Sequence, residues 1–434
     1  MYATLKDMIA ANQANVGVIG LGYVGLPLAA ELGKAGFPVT GLEIDKEKVK
    51  SIMQGISYIN DVDSATVASL KKQKKLSATT DFSALKKMNA VVICVPTPLR
   101  KSKDPDVSYI IAAAEQIKKY MQKGQLIILE STTYPGTTKE LVLPMLESTG
   151  LRCGKDFFLA FSPERVDPGN PKFSIHNTPK VVGGVTEQCT ELARLLYSSI
   201  TSRVDVVSCT EAAEMVKLLE NTFRAVNIAL VNEVALMCGR LKLDVWEIID
   251  AAASKPFGFM PFYPGPGIGG HCIPLDPHYL SWKLKTLNFY SRFIELAGEM
   301  NSRMPEHMVQ KTIDALNDHG KSVRDAKILV IGVAYKKDVS DVRESPSLDI
   351  LKLLTARRAK ISYYDPFIPS LGVEGINLSS VRDLKDIKKY DAVVIITNHS
   401  AIDYEWVVKN SQLVIDSRNA TKGLKAANGK VVKL

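Results

Sequence analysis

The sequence predicts an α/β fold in which two doubly wound parallel-sheet domains are joined by a central helical domain with one long helix. Three observations carry this. Short β-branched apolar runs alternate with amphipathic stretches through the first 200 residues, the pattern of parallel βαβ units with helices on both faces. The texture then turns helical from about Cys209, and strand–helix alternation returns near residue 322. The length, 434 residues, allows about three domains at roughly 150 residues each.

Taken in order, residues 16–19, 39–44, 90–95, 126–129 and 158–161 are short apolar runs that predict buried strands, with helices over 26–35 and 109–121 between them. Residues 1–208 therefore form the first α/β domain. Residues 211–241 carry no proline and a single glycine, Gly239, with apolar residues at helical spacing, which predicts the long helix. Residues 244–253 and 290–299 are also helical in pattern, and a Pro/Gly-rich loop spans 256–277. The helical domain is thus 209–321. Strands are predicted over 327–331, 360–364, 392–396 and 413–415, with a helix over 346–354, making 322–434 the second α/β domain.

Hydrophobic residues are 46% and charged residues 23% of the chain, ordinary for a soluble globular protein. The net charge of +9 is thinly spread, with one dense run at Lys71-Lys72-Gln73-Lys74-Lys75. That run is read as a solvated face, and no nucleic-acid partner is expected without a larger patch interleaved with aromatics. Positive balance suits anionic small molecules. Six scattered cysteines show no CxxC pair and no metal-ligand spacing, so reduced thiols, no metal and a cytoplasmic location are expected. The first fifteen residues lack a secretory pattern, and no apolar run approaches the roughly 18 residues of a membrane helix.

Four motifs carry chemistry. Gly20-Leu21-Gly22-Tyr23-Val24-Gly25 follows a strand and opens a helix. Gly20 permits the tight turn, Gly22 lets a pyrophosphate approach, and Gly25 lets helix and strand pack, as in a Rossmann-like dinucleotide domain. An acid about 20 residues on should bond the ribose, and Glu43 or Asp45 fits. Such an acid repels a 2′-phosphate and favours NAD over NADP. Next, the loop from Tyr263 to Asp276 ends in Gly-Gly-His-Cys-Ile-Pro-Leu-Asp. Cys272 is either placed there for attack or a small buried hydrophobe, and Asp276 can hold a water or position a base.

Lys217, Asn221 and Arg224, at spacings of four and three, share one face of the long helix. A cation beside an amide suits a developing oxyanion, and Arg224 suits a phosphate; an ordinary exposed polar stripe has the same spacing. Finally, Glu130-Ser-Thr-Thr-Tyr-Pro-Gly136 and Ser162-Pro-Glu-Arg-Val-Asp-Pro-Gly169 follow predicted strands, where open α/β sheets bind ligands. Thr132 can hold a water and Glu164 can act as a base, although turn chemistry alone also favours these residue types.

Together and in this order, these motifs resemble the UDP-sugar 6-dehydrogenase family, from Gly17 to about Asn419. GLGYVGLPLA, VPTP at 95–98, ESTTYPGTT, SPERVDPG, EMVKLLENTFR, GPGIGGHCIPLDP and AYKKDVSDVRESPS all look like its blocks. The resemblance implies a four-electron oxidation of a sugar C6 alcohol to a carboxylate with two NAD⁺, through a thiohemiacetal and thioester on Cys272. It assigns Lys217 and Asn221 to the oxyanion, and Thr132, Glu164 and Asp276 to water and proton transfer. Cofactor contacts carried over are Tyr23, Val24, Glu43, Lys48, Thr97, Thr132 and Arg343. Substrate contacts are Arg165, Val166, Lys217, Asn221, Arg224, Gly269, Tyr335, Lys336 and Arg418. It also implies at least a homodimer, for which the long helix over 211–241 offers a seam, and a supply of uronic acids to bacterial surface polysaccharides.

The second α/β domain has no GxGxxG after its first strand, which fits a uridine nucleotide better than a second NAD. Asp167-Pro168 stands where the UDP-glucose branch carries a second Glu, and SPERVDPG resembles the N-acetylhexosamine branch. Residues 255–263 lack the His and Arg that UDP-N-acetylmannosamine enzymes tend to show, and with GHCIPLDPHYLSWK they look most like UDP-N-acetylglucosamine 6-dehydrogenases. The alternatives are the same reaction on UDP-N-acetylmannosamine or UDP-glucose. Two rival classes remain: a two-electron dehydrogenase of the 3-hydroxy-acid or 6-phosphogluconate type, which needs no thiol, and a sugar-nucleotide sensor without turnover. His271 has no assigned role, and His278 is expected to cap the following helix.

Overall fold

The computed structural model describes residues 1–59, 61–99, 104–166, 172–427 and 429–434. The chain forms two compact units, one of residues 1–220 and 278–289, the other of residues 221–277 and 290–434. The helix Thr210–Leu241 runs unbroken for 32 residues, as the proline-free pattern predicts.

The first unit is built on eight strands: β1 (Val16–Ile19), β2 (Val39–Leu42), β3 (Leu76–Thr79), β4 (Ala90–Ile93), β5 (Leu126–Leu129), β6 (Phe158–Phe161), β7 (Lys180–Gly184) and β8 (Val204–Val206). Their order is β3-β2-β1-β4-β5-β6-β7-β8; β7 reverses, running antiparallel to β6 with Phe161 opposite Gly183, and β8 runs parallel to β7. The first six strands follow the doubly wound dinucleotide order. Burial shows why these runs are apolar throughout. Val16, Val18, Val92, Ile128 and Phe158 pack into one core, while Ile19, Val91, Ile93, Ile127 and Leu129 pack into another on the opposite face. A strand covered on both faces cannot alternate with polar residues.

The second unit carries β9 (Lys327–Ile331), β10 (Lys360–Tyr364), a hairpin of β11 (Ser370–Val373) and β12 (Ile376–Ser379), then β13 (Ala392–Ile395), β14 (Val414–Asp416) and β15 (Val431–Lys433). Its parallel sheet runs β10-β9-β13-β14-β15, the other common doubly wound order. Ile328 and Val330 face one core and Leu329 and Ile331 the other. Around it lie the helical segments 221–241, Val245–Ala253 and Arg292–Asp318. Asp244 caps the second of these through the N–H groups of Trp246 and Glu247. The helix predicted over 290–299 continues to Asp318 through Pro305, because Met304, Met308 and Val309 bury fully on either side of it and packing outweighs the lost backbone bond. The Pro/Gly loop ends two residues early, since a helix begins at Asp276. His278 thus lies within that helix rather than at its cap. The run Lys71–Lys74 is exposed, as expected of a solvated face.

Candidate active site

In the first unit the glycine turn follows β1 and opens a helix. Gly20 follows β1 with φ +87°, and a Cβ there would sit 2.6 Å from the Cys94 carbonyl at the end of β4. A Cβ on Gly25 would overlap the Gly20 carbonyl, whereas at Gly22 nothing lies within 4 Å. The helix Gly25–Lys34 has Val24 at its N-cap and no side-chain cap, so its first N–H groups suit a phosphate. This turn fits the pyrophosphate of a dinucleotide.

Glu43, next after β2, is buried and accepts the N–H groups of Leu21 at 2.9 Å and Ile44 at 2.9 Å. Lys48 Nζ stands 3.9 Å from its Oε2. Asp45 instead caps the helix Lys46–Gln54 through Glu47 and Lys48 N–H groups. Tyr23 is exposed beside the turn. Thr97, Thr132 and Glu164 follow β4, β5 and β6, all at the ligand end of the sheet; the Thr97 carbonyl accepts the Tyr279 hydroxyl.

Behind Glu164 lies a buried polar cluster that the sequence motifs did not reveal. Lys180 Nζ is bonded to Glu130 and lies 3.2 Å from Glu164 Oε2. The Tyr197 hydroxyl donates to Glu130 at 2.6 Å. Glu164 Oε1 accepts the N–H groups of Arg165 at 2.8 Å and Val166 at 2.6 Å. Burial pushes Glu130 up to about 7, against the Lys180 charge. Burial pushes Glu164 upward too, but the Lys180 charge and the bonds from Glu130 and Val166 prevail and set it at about 2. The Arg165 guanidinium is engaged by the Pro179 carbonyl and Glu220, both at 2.6 Å. Asp167 and Pro168, which bear on sugar choice, lie outside the described residues.

Glu214 anchors the loop that carries Thr132 onto the long helix. Its carboxylate accepts the Gly136 N–H at 2.6 Å and the Thr138 N–H at 2.8 Å. Burial pushes it up to about 7 against those donors. Lys217, one turn further along, is half-buried.

In the second unit the Cys272 loop packs onto strand ends. The Gly270 N–H donates to the Arg343 carbonyl at 3.1 Å. A Cβ on Gly269 would meet Tyr335 Cβ at 2.7 Å and the Glu344 carbonyl at 2.8 Å, so only glycine admits this approach. The Cys272 carbonyl accepts the Asp276 N–H at 2.8 Å, and Asn221 Nδ2 donates to Asp276 Oδ2 at 2.5 Å. The predicted thiol loop, carboxylate and amide are therefore tied to one another. Arg224 is exposed on the same helix.

Arg418, just past β14, donates through Nε to the Ile396 carbonyl at 3.0 Å and abuts Gly265 so closely that a Cβ there would overlap its guanidinium. Burial pulls Arg418 down to about 10, opposed by Asp416, so at neutral pH it is a desolvated cation. Tyr335 and Lys336 follow β9. The Arg343 guanidinium is held by Asp341, with Nη2 2.6 Å from Oδ2. A further anchor went unread in the sequence: buried Asn232 accepts the Gly265 N–H at 2.9 Å and donates to Asn301 at 2.9 Å, which in turn bonds the Ala225 carbonyl. Among the described residues no cluster suits a metal ion and no helix is long and apolar enough to cross a membrane.

A chain with two doubly wound sheets, only the first bearing a dinucleotide turn, is a dehydrogenase of the kind that binds a nicotinamide cofactor on one sheet and a nucleotide-linked substrate on the other. It belongs to the UDP-glucose/GDP-mannose dehydrogenase family. Residues 14–201 match that family's NAD binding domain, 211–303 its central domain and 329–423 its UDP binding domain. NAD is the cofactor and a UDP-sugar the substrate class. The chain is 37% identical, over 81% of its length and 83% of the relative's, to a UDP-N-acetyl-D-glucosamine 6-dehydrogenase of Pseudomonas aeruginosa. It is 36% identical, over 94% and 96%, to a UDP-N-acetyl-D-mannosamine dehydrogenase of Pyrococcus horikoshii. A solved UDP-D-ManNAc dehydrogenase from Pyrococcus horikoshii superposes with TM-score 0.87 at 35% identity, covering 96% of this chain and 98% of that one.

Proposed function

We propose that this enzyme oxidises the C6 alcohol of UDP-N-acetylglucosamine to the uronic acid through a thiohemiacetal and then a thioester on Cys272. The observation that carries the reading is the glycine loop, with the Cys272 carbonyl opening the helix of Asp276 and Asp276 bonded to Asn221. NAD⁺, held by the glycine turn, would supply the hydride acceptor for both oxidations at C6. Cys272 adds to the C6 aldehyde, because a thiol attacks an aldehyde readily and leaves readily from the acyl carbon. Lys217 and the Asn221 amide stabilise the oxygen that gains charge. Thr132 and Asp276 hold the hydrolytic water, and Glu164, an ionised carboxylate, receives its proton.

Gly20, Gly22 and Gly25 cradle the pyrophosphate with Tyr23 and Val24. Glu43 takes the ribose, since Asp45 is committed to its helix cap, and Lys48, Thr97 and Arg343 complete the cofactor contacts. Arg418 meets the UDP phosphates as the desolvated cation described above, with Tyr335, Lys336, Gly269, Arg165, Val166 and Arg224 around the nucleotide-sugar. Leu219, Phe223, Leu230, Met237 and Leu241 are exposed on the long helix, within about 40° of one another at 100° per residue, and this apolar stripe supports a homodimer or higher homo-oligomer. The product would feed surface-polysaccharide synthesis from the cytoplasm.

The test is NADH yield with limiting UDP-N-acetylglucosamine, UDP-N-acetylmannosamine and UDP-glucose. Two NADH per UDP-N-acetylglucosamine, with Cys272→Ser stalled, is the expected result. The Pyrococcus relative and solved structure, similar over nearly the whole chain, favour UDP-N-acetylmannosamine as the second reading. Two NADH from that sugar alone would replace the first. One NADH per sugar, unchanged in Cys272→Ser, would overturn the covalent mechanism.

A further inference from the structure

We infer that Lys180 is a positioning residue that keeps Glu164 ionised and aimed, through a buried Glu130–Lys180–Glu164 chain behind the reactive end of the first sheet; this rests on the proposed role of Glu164. The antiparallel β7 is what puts it there. A parallel strand would begin at the far edge of the sheet, whereas β7 runs antiparallel to β6 with Gly183 opposite Phe161, so its first residue, Lys180, lies just past the carboxyl ends of β1 to β6. Glu130 follows β5 directly. Lys180 and Glu130 are both buried, so neither meets substrate, and both must find partners within the protein.

The groups facing the chain are few. Tyr197, from the helix Glu187–Ser198, donates to Glu130. Its ring lies 4.9 Å from Lys180 Nζ. Cys94, after β4, is a buried thiol that burial, then Glu130, hold protonated. Two carboxyls and one ammonium thus share a dry site. One proton between the carboxyls leaves it neutral, and the unequal partners decide where the proton rests. Glu130 has the tyrosine hydroxyl and deeper burial, whereas Glu164 has two backbone N–H donors on Oε1. The proton therefore rests on Glu130, and Lys180 holds Glu164 as the anion that can receive one.

The test pairs a carboxyl titration by ¹³C NMR, on Glu-labelled protein without substrate, with pH profiles of kcat and KM for Lys180→Met, Lys180→Arg and Glu130→Gln. In the wild type Glu164 stays ionised down to about pH 4. Lys180→Met should raise its titration by two pH units or more, bring an acid limb into the kcat profile and lower kcat at least tenfold, with KM for the UDP-sugar changed less than twofold. Lys180→Arg should restore both. Glu130→Gln should leave Glu164 ionised and add no acid limb, which tests the chain even if Lys180→Met fails to fold. An unmoved titration in Lys180→Met, or an acid limb in Glu130→Gln, overturns the inference. Should the wild type make no NADH from any UDP-sugar, the proposed function fails while the titration still decides the role of Lys180.

Discussion

Replacing Asn232 by alanine should loosen the Cys272 loop from behind. The amide of this fully buried residue is the acceptor for the Gly265 N–H and the donor to Asn301, so truncation orphans one backbone donor and one side-chain acceptor. Each buried group left unpaired costs about 1–3 kcal/mol. A water entering the small hole would recover part of this, leaving about 2–4 kcal/mol. For a compact unit of about 200 residues each kcal/mol lowers Tm by roughly 2–4 °C, which gives a fall of about 4–16 °C. Calorimetry reads the transition directly. Alkylation of Cys272 by iodoacetamide, counted by peptide mass spectrometry, should quicken in the variant as the loop opens more often. A Tm within 1 °C of the wild type and unchanged alkylation would refute the anchoring role.

Two other substitutions bear on separate parts of the molecule. Gly25→Ala places a Cβ on the Gly20 carbonyl, so NAD affinity measured by fluorescence titration should fall at least tenfold, and a change under twofold would contradict the reading of the turn. His307, whose imidazolium is disfavoured by burial and then by Lys311 against the pull of Asp314, titrates in the folded protein below its ordinary value of 6.5. The unfolded chain then takes the proton first, so stability is full above about 6.5 and is lost as pH falls from there through the lower folded-state value. The wild-type Tm should therefore drop more steeply between pH 7 and 5 than that of His307→Gln, and parallel curves would rule the effect out.

What could be read from the sequence was what leaves a local trace. Strands β1, β5, β6 and β9 fall where the apolar runs predict them, because burial on both faces leaves little room for polar residues; the edge strand β10, mostly half-exposed, falls there as well. Strand β7 was missed: it starts on a lysine and ends on two glycines, and its partner β6 lies beyond a loop. Strand β3, half-exposed Leu-Ser-Ala-Thr, has too little apolar surface to register. The same divide runs through the site. The glycine turns announce themselves because their geometry is decided within six residues. Asn232, Glu214 and Lys180 each meet partners far along the chain, at separations of 33, 76 and 50 residues, and alone each looks like an ordinary polar residue.

The two sheets share one design, and its differences explain why only one takes a dinucleotide. In each, a glycine with positive φ follows the first strand and presses against the end of the neighbouring strand: Gly20 against Cys94, and Gly332, φ +79°, against Thr397. In each, an acid follows the second strand and accepts the N–H after that glycine, Glu43 from Leu21 and Asp365 from Val333. Beyond this they diverge. The helix after Gly20 begins at Gly25, so its N–H groups lie where a pyrophosphate would sit, whereas the helix after Gly332 begins only at Pro346, capped by Ser345. Asp365 is closed off by buried His399, whose Nε2–H donates to it at 3.0 Å while Nδ1 accepts the Asp338 N–H at 3.0 Å. The carboxylate that would hold a ribose is thus already satisfied, and the phosphate-binding helix terminus is displaced. The second sheet, which matches a UDP binding domain, lacks that helix terminus, and this leaves room for the role proposed for Arg418, a cation just past β14.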